Sequence, residues 1–405
     1  MFIGQNKILA VYLACALLFG LVLLSNRESN LGSIFLKPLD DSYSVLGSHA
    51  TFGDLSAPNR IYAFLPYWNL NHEVLNVEAV TDLSYFGLSV GAKGQILTSD
   101  GAYKEWRKDE KLAEVIKKVK RNDGRVSLTL ICHEEENIDA ILSCTDCWDT
   151  LAKDLERELK WAGIKDVNVD FEYPSYTAPE NAQKYSRLVG YLNNYLDAVF
   201  GNSFVVVSAY ADSADRATKN EVRITDPKSL AANADALFVM AYDFHRPESA
   251  NAGPVSPLEG SYKTSQLNLT TVVEAYLKIV PANKLILGLP FYGYDWIVED
   301  ASPMSTRIEG NDYIGFSKST TYAEVTDLLV NKQLKPLWDD LAKTPYVNYV
   351  NEKTGSNHQI WYDNEESLKL KFALAQKNHF LGVGVWALGY EGGYVNLWSA
   401  LKIQP

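Results

Sequence analysis

Eight short, apolar, β-branched runs recur from residue 60 onward, and stretches of helical period separate them. The runs are RIYAFLPYW (60–68), LSYFGLSV (83–90), RVSLTLIC (125–132), DVNVDFEY (166–173), SFVVVSAY (203–210), DALFVMAYD (235–243), KLILGLPFYG (284–293) and LGVGVWALG (381–389). The intervening amphipathic stretches include residues 109–121, 150–163, 178–200, 268–280 and 365–379. Strands that alternate with helices pair in parallel, because each helix carries the chain back to the edge from which it started. Eight units favour a closed (β/α)8 TIM barrel, an α/β fold, over an open doubly wound sheet with a mononucleotide site. Such a site asks for a glycine-rich first turn, and FLPYWNL supplies none. About 90 residues separate the seventh run from the eighth, more than an ordinary crossover needs. A small α+β insertion is expected there, at about 295–361, between Tyr294 and Tyr362.

Composition limits the partners. A chain of 405 residues, 47% apolar, can bury one large core, expected over residues 58–403. Its formal net charge of −12 disfavours nucleic acid and anionic membrane surfaces as ligands. Residues 8–24 carry no charge and are flanked by Lys7 and Arg27, which predicts an export signal or membrane anchor within residues 1–25. No small-x-small cleavage pattern stands near Ser25, so the expectation is an uncleaved anchor, with the remainder at the cell surface or outside the cell. Residues 26–57, rich in Ser, Asn, Asp and Gly, read as a tether. In an oxidising compartment Cys144 can pair with Cys147, or Cys132 with either, leaving one thiol over. One CxxC and no histidine pair at ligand spacing give no reason to expect a metal.

Within the fourth run, GIKDVNVDFEYPSY (163–176), Asn168, Asp170 and Glu172 occupy alternate positions, separated by Val169 and Phe171. Alternate residues of a strand share a face, so in a barrel the three polar groups face the interior. A hydrogen-bonded polar cluster that merely specifies the core is the alternative, but burying two carboxylates costs several kcal/mol unless they are well paired. Pro174 ends the strand and leaves Glu172 at its C-terminal end, the rim where barrels carry their chemistry. A neighbouring Asp170 carboxylate is expected to hold Glu172 protonated nearer neutrality, as a general acid requires. Two carboxylates in different roles suggest glycosidic bond cleavage.

This stretch resembles the D-x-x-D-x-D-x-E signature of glycoside hydrolase family 18, the chitinase-like barrels. FVMAYDFH (238–245), GPVSPL (253–258), LILGLPFYGYDW (285–296), HQIWYDNEESLKLK (358–371) and GVGVWALGY (382–390) are similar to further stretches of that family, in the same order. Lys165 stands where the signature has its first Asp and Asn168 where it has its middle one. Asn at that middle position resembles the branch that acts on bacterial cell-wall glycans.

The resemblance implies a substrate-assisted, retaining hydrolase of polymers containing β-1,4-linked N-acetylglucosamine, acting as a monomer and without a cofactor. In that scheme Glu172 protonates the leaving oxygen, while Asp170 and Tyr242 orient the substrate's own acetamide for attack. Trp386 lies beneath the sugar, and Asn168, Asp243, Tyr292, Tyr67, Trp68 and Trp296 are candidates for binding it. His245, near the site, is read as structural. A peptidoglycan-type glycan is preferred to chitin because of Asn168 and the expected anchor. A non-catalytic glycan-binding protein on the same barrel is the alternative; it usually lacks the acid, which Glu172 supplies here.

Overall fold

The structure, a computed structural model, describes residues 60–402 apart from 109, 220 and 261–266. The expected anchor and tether lie outside the described residues. Among the described residues, no helix is long and apolar enough to cross a membrane.

Eight strands close a parallel barrel: β1 (Arg60–Pro66), β2 (Asp82–Ser89), β3 (Arg125–Cys132), β4 (Asp166–Phe171), β5 (Val205–Tyr210), β6 (Ala236–Met240), β7 (Leu285–Pro290) and, after the insertion, β13 (Gly382–Trp386). They follow one another around the ring in sequence order, and β13 returns between β7 and β1. Alternation along β4 divides its residues as expected. Val167, Val169 and Phe171 join the outer core with Leu155, Leu159, Tyr185 and Leu188 of the helical layer. Asp166, Asn168 and Asp170 occupy the other face and are also buried. Inside the barrel Tyr62, Phe64, Phe86, Val206, Phe238 and Ile286 form a second apolar cluster. Phe238 fits because Gly288 and Gly384 face it: a Cβ on Gly384 would stand 2.3 Å from Phe238 Cε2, and one on Gly288 2.6 Å from Cε1. The floor is polar. Arg60 pairs with Asp82 at 2.6 Å and Arg125 holds Asp166 with two hydrogen bonds, while both guanidinium groups lie over the Phe204 ring.

The helices start and stop on local chemistry. Thr145–Ala162 ends at Gly163 in the left-handed conformation, whose N–H donates to Leu159 and Lys160 carbonyls. Pro179 opens Pro179–Phe200 at a position that needs no N–H, and Asn364 caps Glu365–Lys377 with a reciprocal capping box. Cys144 and Cys147 form the disulfide. Cys132 remains a buried thiol, and burial pushes its pKa up to about 12, which leaves it inert.

The insertion begins directly after β7. Its strands β8 (Tyr292–Val298), β9 (Lys318–Thr321), β10 (Leu337–Asp339), β11 (Thr344–Val350) and β12 (Asn357–Trp361) form an antiparallel sheet in the order β10-β11-β12-β8-β9, with the helix Tyr322–Asn331 between β9 and β10. Its first and last strands pair with each other, Tyr294 opposite Trp361, so the chain leaves the barrel and returns to it side by side. Just beyond β12, Asp363 and Lys371 form a fully buried ion pair with the helix that precedes β13.

Candidate active site

The C-terminal end of β4 carries the two carboxylates. Glu172 follows the strand and keeps one rung of its ladder, donating its N–H to Cys132 O at 2.9 Å. Its side chain is half-buried, with His133 Nε2 3.5 Å from Oε1. Asp170 lies deeper, 5% exposed. Burial, and next the charge of Glu172, hold its pKa well above the ordinary aspartate value, and a hydrogen bond from Ser208 only partly offsets them. Asp170 is the carboxylate further from water. Asn168 is fully buried one rung below and donates to Ser208 Oγ at 3.1 Å. Ser208 therefore connects the two strand neighbours. Lys165 precedes β4 at its opposite end and donates to Gly201 O at 3.2 Å, so the departure from the signature there lies away from the carboxylates.

Tyrosines surround the pair. Tyr242 follows β6, and Tyr210 is the last residue of β5. Burial raises both hydroxyl pKa values, with Asp170 and Glu172 adding to it, so both remain hydrogen-bond donors at neutral pH. Trp386 ends β13 and rests edge-on against Phe86, ring centroids 4.6 Å apart, with Phe64 at 5.6 Å and Trp68 at 6.4 Å. Asp243 takes a positive φ of 61°, a conformation that Asp tolerates better than most residues, and accepts hydrogen bonds from Tyr292 and Tyr294.

These groups line one cleft of about 720 Å³. Of the residues expected from sequence, Glu172, Asp170, Tyr242, Asp243, Tyr292, Trp68 and Trp386 come together on its walls. Three stand elsewhere. Asn168 is beneath the cleft. Tyr67 packs against the outer core beside Trp68, and Trp296 is fully buried inside the insertion, donating Nε1–H to Arg246 O at 3.1 Å. His245 is buried with Nδ1–H donating to Pro254 O at 2.9 Å, and burial lowers its pKa. The cleft also gains residues that the sequence reading did not single out: His133, Tyr210, Arg223, Arg246, Tyr294 and Tyr390. Tyr210 carried a usable signal, since it stands at the C-terminal end of β5 as Glu172 stands just past the C-terminal end of β4.

Among the described residues, His133, Asp170 and Glu172 are the converging set of potential metal ligands, with donor atoms within 4.8 Å of one another.

Comparison with known proteins agrees with this geometry. Residues 61–391 match the family model described as glycosyl hydrolases family 18. The chain is similar to the uncharacterized glycosylase YvbX of Bacillus subtilis (strain 168), 29% identical over 236 residues, covering 58% of this chain and 60% of that one. It spans about 60% of the length of such curated relatives. Its fold is similar to that of the Group IV chitinase of Ostrinia furnacalis in complex with allosamidin, with a TM-score of 0.71 and 20% identity over 85% of this chain and 98% of that one. The Bacillus megaterium QM B1551 spore cortex-lytic enzyme SleL has the same fold, with a TM-score of 0.65 and 19% identity over 85% of this chain and 74% of that one. With the family model spanning the barrel from β1 to just past β13, the chain belongs to family 18 of the glycosyl hydrolases.

Proposed function

We propose that the protein is a retaining, substrate-assisted glycosidase that cleaves β-1,4-linked polysaccharide containing N-acetylglucosamine. The observation that carries this reading is the unequal carboxylate pair at the mouth of the barrel: Glu172 accessible from the cleft, Asp170 buried behind it. Glu172 protonates the glycosidic oxygen, and the carbonyl oxygen of the substrate's acetamide attacks the anomeric carbon from the opposite face. Asp170 accepts the acetamide N–H and stabilises the positive charge of the oxazolinium, while Tyr242 donates to the acetamide oxygen. Glu172 then takes a proton from water, which opens the ring with retained configuration. Trp386 offers a flat apolar surface to the axial C–H bonds of the sugar.

A peptidoglycan-type glycan is favoured over chitin, supported by Asn168 at the middle signature position and by the uncharged run at residues 8–24, which would hold the protein at the cell surface near such a polymer. The reaction needs one chain and no cofactor. The test compares the protein with its Glu172→Gln variant on chitooligosaccharides and purified peptidoglycan, with products identified by mass spectrometry. The expected result is cleavage by the parent and a loss of about 10²- to 10⁴-fold in the variant, the contribution typical of a general acid. Binding without cleavage by either protein would favour a glycan-binding role. Fresh product of inverted configuration by NMR would rule out the substrate-assisted route.

A further inference from the structure

The cleft of this acidic protein exposes a guanidinium group that a neutral glycan does not need. Arg246 lines it, with its side chain 59% exposed. The backbone of Arg246 is fixed on both sides: its N–H donates to Ser249 Oγ at 2.9 Å and its carbonyl accepts from Trp296 Nε1 at 3.1 Å. Its charged partner is Asp243, and the nearest approach is Nε to Oδ2 at 3.8 Å, beyond hydrogen-bond distance. The other carboxylate oxygen, Oδ1, already accepts from Tyr292 and Tyr294. Asp243 thus faces the Nε edge and, among the described residues, the two terminal nitrogens have no committed acceptor.

Arg223, the other guanidinium of the cleft, is differently placed. It donates to Pro174 O and to Asp212 at 2.9 Å and lies between the rings of Tyr176 and Tyr210. It braces the segment after Glu172 and has no free fork.

We propose that Arg246 reads a carboxylate on the substrate, so that the cleft selects N-acetylglucosamine glycans whose neighbouring sugars carry an acidic ether substituent over neutral chitin. The planar guanidinium matches a carboxylate with two parallel hydrogen bonds, whereas a sugar hydroxyl satisfies only one. This rests on the glycosidase reading of the same cleft and names the substrate feature that the cleft recognises.

The test measures binding to the full chain carrying Glu172→Gln, which leaves the ligand intact. Lactyl-bearing glycan strands stripped of peptide are compared with the same strands after conversion of the lactyl carboxylates to methyl esters. The expected preference for the free acid is about tenfold, the lower end for a hydrogen-bonded charge because the site is open to water, and it weakens as salt is added. Arg246→Gln should abolish that preference, and Arg246→Lys, which keeps the charge but not the fork, should retain part of it. Equal binding of acid and ester by the Arg246 protein would overturn the proposal, and so would a preference that survives in Arg246→Gln. The esterified ligand makes the first comparison independent of any variant's folding. The glycosidase reading fails separately, if the chain with Glu172 intact cleaves neither strand.

Discussion

At the scale of single residues, Asp170 concentrates the cost of the site. Its carboxyl is held above the ordinary value of 3.8, so between that pH and its raised value the native protein retains a proton that the unfolded chain has released. Stability therefore falls as pH rises through that window, and the contribution is present in full only below it. Asp170→Asn removes the ionisation. Its melting temperature should exceed the parent's by a margin that widens from about pH 4 toward neutrality, while activity is lost. Parallel melting curves across the pH range would contradict this. Asp170 and Glu172 were legible because a period of two and the end of a strand place a side chain without reference to the rest of the fold, and Tyr242 through the family resemblance of FVMAYDFH. Trp296 was not. A tryptophan just beyond β7 can stand at the rim or turn into an inserted sheet, and only the pairing of β8 with β12 decides between them.

The eight barrel strands were readable as elements because a parallel strand buried on both faces is a nearly continuous apolar run. The insertion was readable only as an excess of length. β9 and β10 have four and three residues, too few to show a period. Nor did the strand patterns reveal why β7 and β13 each carry an interior glycine. Both face Phe238, so Gly384→Ala should destabilise the protein by about 1–3 kcal/mol, as overpacking of a filled core does, measured by denaturant unfolding. A change below a few tenths of a kcal/mol would mean that Phe238 moves aside freely.

On the scale of the whole molecule, barrel and insertion share a core. The cluster of Tyr292, Tyr294, Trp296, Tyr346 and Trp361 within the insertion also packs against Tyr242 and Trp386 of the barrel. Tryptophan fluorescence, to which the insertion contributes Trp296, Trp338 and Trp361 among nine tryptophans, should therefore change in a single denaturant transition that coincides with far-ultraviolet circular dichroism. Separate midpoints would show that the insertion unfolds independently. The net charge of −12 is a global sum and says nothing of the exposed Arg246 guanidinium inside the cleft, on which the proposed choice of glycan depends.

The pairing of β8 with β12 makes the insertion a cassette with both ends in one socket. Its contents can change in length or shape without altering the spacing of β7 and β13, while the carboxylates stand on a different strand, β4. Tyr292, Tyr294 and Ser319 bring it to the cleft wall, so exchanging this cassette between relatives would reshape that wall while leaving Asp170 and Glu172 where they are.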